Sequence, residues 1–156
     1  MHMRRNEKQI TDLLEIELII AKANILHLAM VDGVDPYVVP LNFGYAKGVF
    51  YVHGAAEGRK IEVLRCNSRV CFALHAPAEL KSAKTPCAYG MIFESVIGFG
   101  QAEIVVDQDE KFKALRGIFR QANVNPEHIA DFSAEHLAQT AVLRITVRSM
   151  TGKRST

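Results

Sequence analysis

Gly58-Arg59-Lys60 is where residue type and position most strongly suggest a ligand. Tyr51-Val52-His53 reads as the end of a strand, Gly54-Ala55-Ala56 as a small-residue turn, and a helix opens near Gly58. Arg59 and Lys60 then fall in the first helical turn, where cations oppose the helix dipole. A bound anion removes that conflict, because free N–H groups and two cations can converge on a phosphate. A solvated basic pair on a surface helix fits the residue types equally well. His53 ends the strand just before this turn. An imidazole that titrates near neutral pH would therefore stand beside the anion.

Other chemistries find less support. The six histidines (His2, His27, His53, His75, His128, His136) show no His-x-x-x-His or Glu-x-x-His spacing, so no metal site is expected. His27 and His75 fall within strands and read as packed or hydrogen-bonded. Cys66, Cys71 and Cys87 are odd in number and lack a Cys-x-x-Cys pair. Neither a disulfide framework nor a zinc site is expected, and the thiols read as buried and structural, in a reducing, cytoplasmic setting. Ile97-Gly98-Phe99-Gly100 has the glycines of a phosphate loop but lies inside a strand, without the strand–turn–helix context. A net charge of +2, 8% aromatic residues and no tryptophan argue against a nucleic-acid platform.

The elements that must position Arg59, Lys60 and His53 can be outlined from patterning. The 156 residues are 49% hydrophobic and 23% charged, which predicts one globular domain over 1–156. The start, Met-His-Met-Arg-Arg, leads into charge rather than an apolar core, so no secretory signal is expected. The apolar run from Leu13 to Val31 is broken by Glu15, Glu17, Lys22, Asn24 and His27 and does not suit a membrane span. Residues 7–23 predict an amphipathic helix with Ile10, Leu13, Leu14, Leu18 and Ala21 inward. Strands are predicted over 25–31, 37–45, 49–53, 69–75, 90–106 and 140–147, with turns at Asp32-Gly33 and Lys47-Gly48.

Pro40 cannot donate to a ladder, which marks its strand as an edge or a bulge. Gly98 and Gly100 predict strong bending of the long strand. Helices are predicted over 58–66, with Ile61 and Leu64 inward, and over 109–121, capped at Asp107-x-x-Glu110, with Phe112, Leu115, Ile118 and Phe119 inward. Asn125-Pro126 and Ser133 can each start a short helix. Residues 76–88 read as a loop and the tail from Ser149 as polar and frayed. About six strands, mostly in hairpins, predict a mainly β, antiparallel barrel with flanking helices.

Four blocks, in this order and spacing, resemble the pyridoxamine 5′-phosphate oxidase-like flavoproteins, and within them the 5-nitroimidazole-resistance (Nim-type) branch. They are Pro36-Tyr-Val-Val-Pro-Leu-Asn-Phe-Gly-Tyr45, Tyr51-Val-His-Gly-Ala-Ala-Glu-Gly-Arg-Lys60, Asn67-Ser-Arg-Val-Cys-Phe72 and Ser95-Val-Ile-Gly-Phe-Gly100. The resemblance covers roughly residues 4 to 147. It implies an FMN-binding split β-barrel, a homodimer with flavin mononucleotide in clefts at the subunit interface, and reduction of a small acceptor such as a nitroaromatic.

By position, the backbone of Val39, Pro40, Leu41 and Asn42 would line the flavin ring. His53, Gly54 and Ala55 would flank the ring and ribityl chain. Lys60, helped by Arg59, would meet the phosphate, and Ser95 and Val96 would complete the site. His53 is the one candidate catalytic residue, as a proton donor or as a hydrogen-bonding partner of the cofactor. The family's Trp-x-Met-Arg-Tyr-x-Ser block is here Tyr89-Gly-Met-Ile-Phe-Glu-Ser95, without its tryptophan, arginine and tyrosine. The resemblance also leaves open a flavin-storing module without turnover, the same barrel holding heme or deazaflavin, and pyridoxamine 5′-phosphate oxidation itself.

Overall fold

The computed structural model describes residues 5–125 and 134–155. In chain order its strands and α-helices are β1 (Gln9–Ile10), α1 (Leu13–Lys22), β2 (Leu26–Asp32), β3 (Asp35–Leu41), β4 (Phe43–Ala46), β5 (Val49–Ala55), α2 (Arg59–Cys66), β6 (Arg69–His75), β7 (Glu79–Lys81), β8 (Gly90–Ile104), α3 (Gln108–Gln121), α4 (Ala134–Gln139) and β9 (Thr140–Ser155). The nine strands pair in the order β3-β2-β6-β8-β9-β5-β4, with β1 added to β9 and β7 to β8. Every pairing is antiparallel. The two ends of this path, β3 and β4, are consecutive in sequence and separated only by Asn42. One residue thus joins opposite edges of the sheet, and no ladder between them closes it. This is a split barrel with flanking helices.

Turn chemistry fixes the hairpins. Gly33 (φ 63°) turns β2 into β3, and Lys47 and Gly48 (φ 48° and 81°) turn β4 into β5. Two successive positive φ values match the twist of the flanking strands. Pro40 sits on β3, an edge strand, as its missing donor requires. The long strand β8 carries its irregularity between Phe99 and Gly100, at the predicted bend.

Inside the barrel, Phe43, Phe50 and Phe72 are almost wholly buried, with ring centroids 5.5 Å (Phe43–Phe50) and 4.8 Å (Phe50–Phe72) apart. Each contributes roughly 1.5–3 kcal/mol by burial. A second cluster of Val105, Ala114, Leu115, Ile118 and Val142 lies between α3 and the sheet. Asp107 caps α3 by accepting from the Glu110 N–H at 2.7 Å. Ile61 and Leu64 of α2 face inward, as do Leu115 and Ile118 of α3, while Phe112 and Phe119 are partly buried.

Several expectations are corrected. The first helix begins at Leu13, where Asp12 accepts from the Glu15 N–H at 2.9 Å, and residues 9–10 form β1 instead. Its buried face is Ile16, Ile19 and Ile20, while Leu13, Leu14 and Leu18 are exposed. The segment 37–45 breaks at Asn42 into β3 and β4, and 76–88 contains β7 and a 3-10 turn at Pro86–Ala88. The tail from Ser149 is not frayed but pairs with β8 through Ser155. Hence nine strands replace about six. Cys66 and Cys87 are exposed rather than buried; only Cys71 is partly buried, and burial pushes its thiol pKa up. The predicted helix starts at Pro126 and Ser133 lie outside the described residues. Among the described residues no helix is long and apolar enough to cross a membrane.

Candidate functional site

The site grows from the end of β5. His53, Gly54 and Ala55 pair with Val142, Ala141 and Thr140 of β9, and the Ala56 N–H donates to the Gln139 carbonyl at 3.1 Å. Gly58 follows at φ 106°, a conformation that favours glycine. Its carbonyl accepts from the Ile61 and Glu62 N–H groups at 2.9 and 3.2 Å, which opens α2. A glycine cap has no side chain to accept from the first-turn N–H groups, so that end of the helix keeps its donors.

Lys60 folds back from this turn across β5. A Cβ placed on Gly54 would collide with its Nζ, so the ammonium lies directly over the Gly54 backbone. Burial lowers the Lys60 pKa, and the ammonium forms no ion pair with a described residue. Beside it, His53 carries a buried Nδ1 with no hydrogen-bond partner. Burial, and then the Lys60 charge, hold its pKa below the ordinary histidine value. Both effects favour the neutral imidazole.

Arg59 goes elsewhere. Its Nε donates to Asp32 Oδ2 at 2.7 Å and its guanidinium lies 4.5 Å from the Tyr37 ring centroid. It ties α2 to the β2–β3 hairpin, a partnership between residues too far apart in sequence for any local signal.

The remaining predicted residues fall into two places. Asn42 directly precedes Phe43, which pairs with Val52, the neighbour of His53 in β5. Val39, Pro40 and Leu41 pair with Leu28, His27 and Leu26 on the inner side of edge strand β3. Ser95 and Val96 sit on β8, opposite His75 and Leu74. Leu41, Leu26, Leu74 and Val96 form one cross-strand row. Its ends are three strands, about 14 Å, apart. By the other route, Gly54 pairs with Ala141 and Ser95 with Lys153, at opposite ends of β9. One chain therefore brings His53, Gly54 and Lys60 together, while along the sheet Ser95 and Val96 lie several strands from them.

The face outside this row mixes polar groups with exposed apolar ones. Pro40, His27, Ala73, Ile97 and Thr151 align across five strands, and Val38 and Ile97 are 59% and 38% exposed. Among the described residues no group of three or more His, Cys, Asp or Glu side chains is placed to hold a metal ion.

The architecture is a split barrel with Lys60, at the start of α2, laid over Gly54 of β5, and sequence comparison gives it a family. Residues 12–154 match the family model for pyridoxamine 5′-phosphate oxidase. The chain belongs to the pyridoxamine 5′-phosphate oxidase family.

It is similar to a candidate 5-nitroimidazole antibiotic resistance protein from Bacteroides thetaiotaomicron, with 32% identity, 98% of this chain and 95% of that one covered, and a TM-score of 0.79. Two more distant structures share the fold. The flavocytochrome Anf3 from Azotobacter vinelandii has 22% identity, 99% and 73% coverage and a TM-score of 0.86. An FAD and heme binding protein from Mycobacterium smegmatis has 18% identity, 95% and 73% coverage and a TM-score of 0.82. No curated protein matches the chain.

Proposed function

We propose that this chain is an FMN-dependent oxidoreductase of the nitroimidazole-resistance type, a homodimer that reduces a small acceptor such as a nitroaromatic. The observation that supports it most is the Lys60 ammonium, partly buried without a counter-ion, over Gly54 and beside the orphaned Nδ1 of His53. A partly buried cation with no anion among the described residues and a buried ring nitrogen with no partner are both costly unless a ligand completes them. A flavin phosphate answers the first and a polar edge of the ring or ribityl chain answers the second, so the residues present fit the group.

A bound flavin mononucleotide supplies reversible electron storage. The chain supplies the rest. Lys60 and the uncapped N–H groups of α2 hold the phosphate. The backbone from Val39 to Asn42, on an edge strand with one unpaired side, offers donors and acceptors to the ring, and Gly54 and Ala55 leave room for close approach. His53, with its neutral form favoured, positions the ring or the acceptor through Nδ1. A phosphate that neutralises Lys60 relieves part of what depresses the His53 pKa, so the imidazole becomes a better proton carrier once the site is filled.

The separation of Ser95 and Val96 from His53 supports a site completed by a second copy across the exposed Val38–Pro40–Ile97 face. The relative associated with nitroimidazole resistance supports the choice of acceptor.

The test is the absorption spectrum of the purified protein before and after adding FMN. Flavin bands at one equivalent per chain are expected, and Lys60→Ala is expected to lose them. An intense Soret band, the shorter-wavelength absorption of deazaflavin, or no flavin uptake at all would each overturn the proposal.

A further inference from the structure

A cavity of about 710 Å³ lies between α3 and the β4–β5 hairpin, and none of the proposed flavin-site residues lines it. Its volume is that of a small-molecule pocket. Tyr51 supplies its aromatic wall; Tyr45 also lines it but stands on the opposite face of the hairpin, because the register pairs Tyr51 with Gly44 and Tyr45 with Phe50. Tyr45 packs on Phe50 at 4.7 Å between centroids, donates to Glu17 Oε1 at 3.0 Å and accepts from the Gly48 N–H at 3.0 Å. Tyr51 donates to Glu110 Oε1 at 3.0 Å. At one edge Gly44 and Gly117 bring strand and helix backbones together.

The rim is basic. Lys113, Arg116 and Arg120 follow one another along the exposed side of α3 and all line the cavity. From Lys113 to Arg120 the helix rises about 10 Å. None of the three forms an ion pair with a described residue. The two carboxylates that also line the cavity are already engaged. Asp107 caps the helix, and Glu110 accepts two hydrogen bonds from Arg144 Nη1 at 2.9 and 3.1 Å. Three cations without an ion pair to a described residue, one of them (Arg116) 5.8 Å from the Phe112 ring centroid, thus line the same cavity as the Tyr51 ring.

We propose that this cavity is a second binding site, separate from the flavin site, for a planar anionic ligand of the mononucleotide class. The Tyr51 ring, held by Glu110, suits a flat base through stacking, and two guanidinium forks suit a phosphate bidentately.

Isothermal titration of the full-length chain with adenosine 5′-monophosphate tests this. One saturable site per chain is expected, weakening with added salt. The double variant Arg116→Ala/Arg120→Ala should bind at least about tenfold more weakly while melting at the wild-type temperature. Lys60→Ala should bind as the wild type does. If the double variant is destabilised, Lys113→Gln provides the check and should bind about threefold more weakly or worse. With four tyrosines and no tryptophan in the sequence, a change in tyrosine emission on binding should accompany the heat. Absence of saturable binding, wild-type affinity in the rim variants, or loss of binding in Lys60→Ala would overturn the proposal; the last result would place the nucleotide in the flavin site.

Discussion

Replacing Gly54 by alanine separates the position of Lys60 from its presence. The added Cβ would overlap Lys60 Nζ, the far end of a flexible side chain, and no backbone atom stands in its way. Gly54 also lies in a regular β5–β9 pairing, with no positive φ to forbid alanine. The lysine must swing aside, at a rotamer cost of roughly 0.5–1.5 kcal/mol. Alanine in place of a strand glycine returns about 0.5–1 kcal/mol. Stability should therefore change by less than about 1 kcal/mol. Phosphate binding should suffer more. A charge-assisted contact contributes roughly 1.5–3 kcal/mol, which corresponds to about 10- to 150-fold in affinity. A displaced ammonium still remains nearby, so the lower end applies, roughly tenfold. Titration that follows the quenching of free-flavin fluorescence measures the affinity, and urea denaturation measures the stability. Lys60→Ala sets the largest loss to be expected. If Gly54→Ala bound FMN within twofold of the wild type while Lys60→Ala bound weakly, the ammonium would reach its anion from somewhere other than over Gly54, and the geometry argued here would be wrong.

Lys60→Met should raise the His53 pKa, read from the imidazole resonances by NMR, though burial should still keep it below the ordinary histidine value; a fall or no change would remove the lysine as a cause. Gly44→Ala should cost about 1–3 kcal/mol in a denaturant melt, because a Cβ there would lie 2.7 Å from Gly117 C and 2.8 Å from Ile118 N, and backbone cannot rotate away. Glu94 is held below the ordinary carboxylate range by hydrogen bonds from Lys22 and Arg154. A depressed carboxylate stabilises the fold above its unfolded pKa, and that contribution is lost as pH falls through the folded value. Glu94→Gln should therefore flatten the acid limb of the stability–pH curve. At neutral pH it should cost no more than about 1 kcal/mol, since Lys22 and Arg154 are 55% and 41% exposed.

The sequence made the β5–turn–α2 corner legible because its signals are local: a glycine at the helix start, small residues before it, and an out-of-place pair of cations. Pro40 likewise announced an edge strand through its own missing donor. The phase of α1 was not legible, because Leu13, Leu14 and Leu18 form as convincing an apolar stripe as Ile16, Ile19 and Ile20. The choice is made by the sheet beneath and by Gln121, whose Nε2 donates to the Ile20 and Ala23 carbonyls at 2.9 Å. The tail was misread because Lys153, Arg154 and Ser155 are polar. Their pairing comes from β8, and the Arg154–Glu94 bridge at 2.7 Å has no local signature. Arg59 could not be assigned to Asp32 for the same reason.

The place of β9 has a consequence for how the chain is made. This strand is the last in sequence yet lies between β8 and β5 in the sheet. Until Thr140 and the residues after it have left the ribosome, the nascent chain holds two separate half-sheets, β3-β2-β6-β8 and β5-β4. Each has an edge waiting for the same missing strand. Unpaired edges of this kind recruit foreign strands, and native pairing over such sequence separations is slow. The chain therefore completes its barrel only once β9 has emerged, and its most exposed moment falls between the arrival of α3 and the seating of β9.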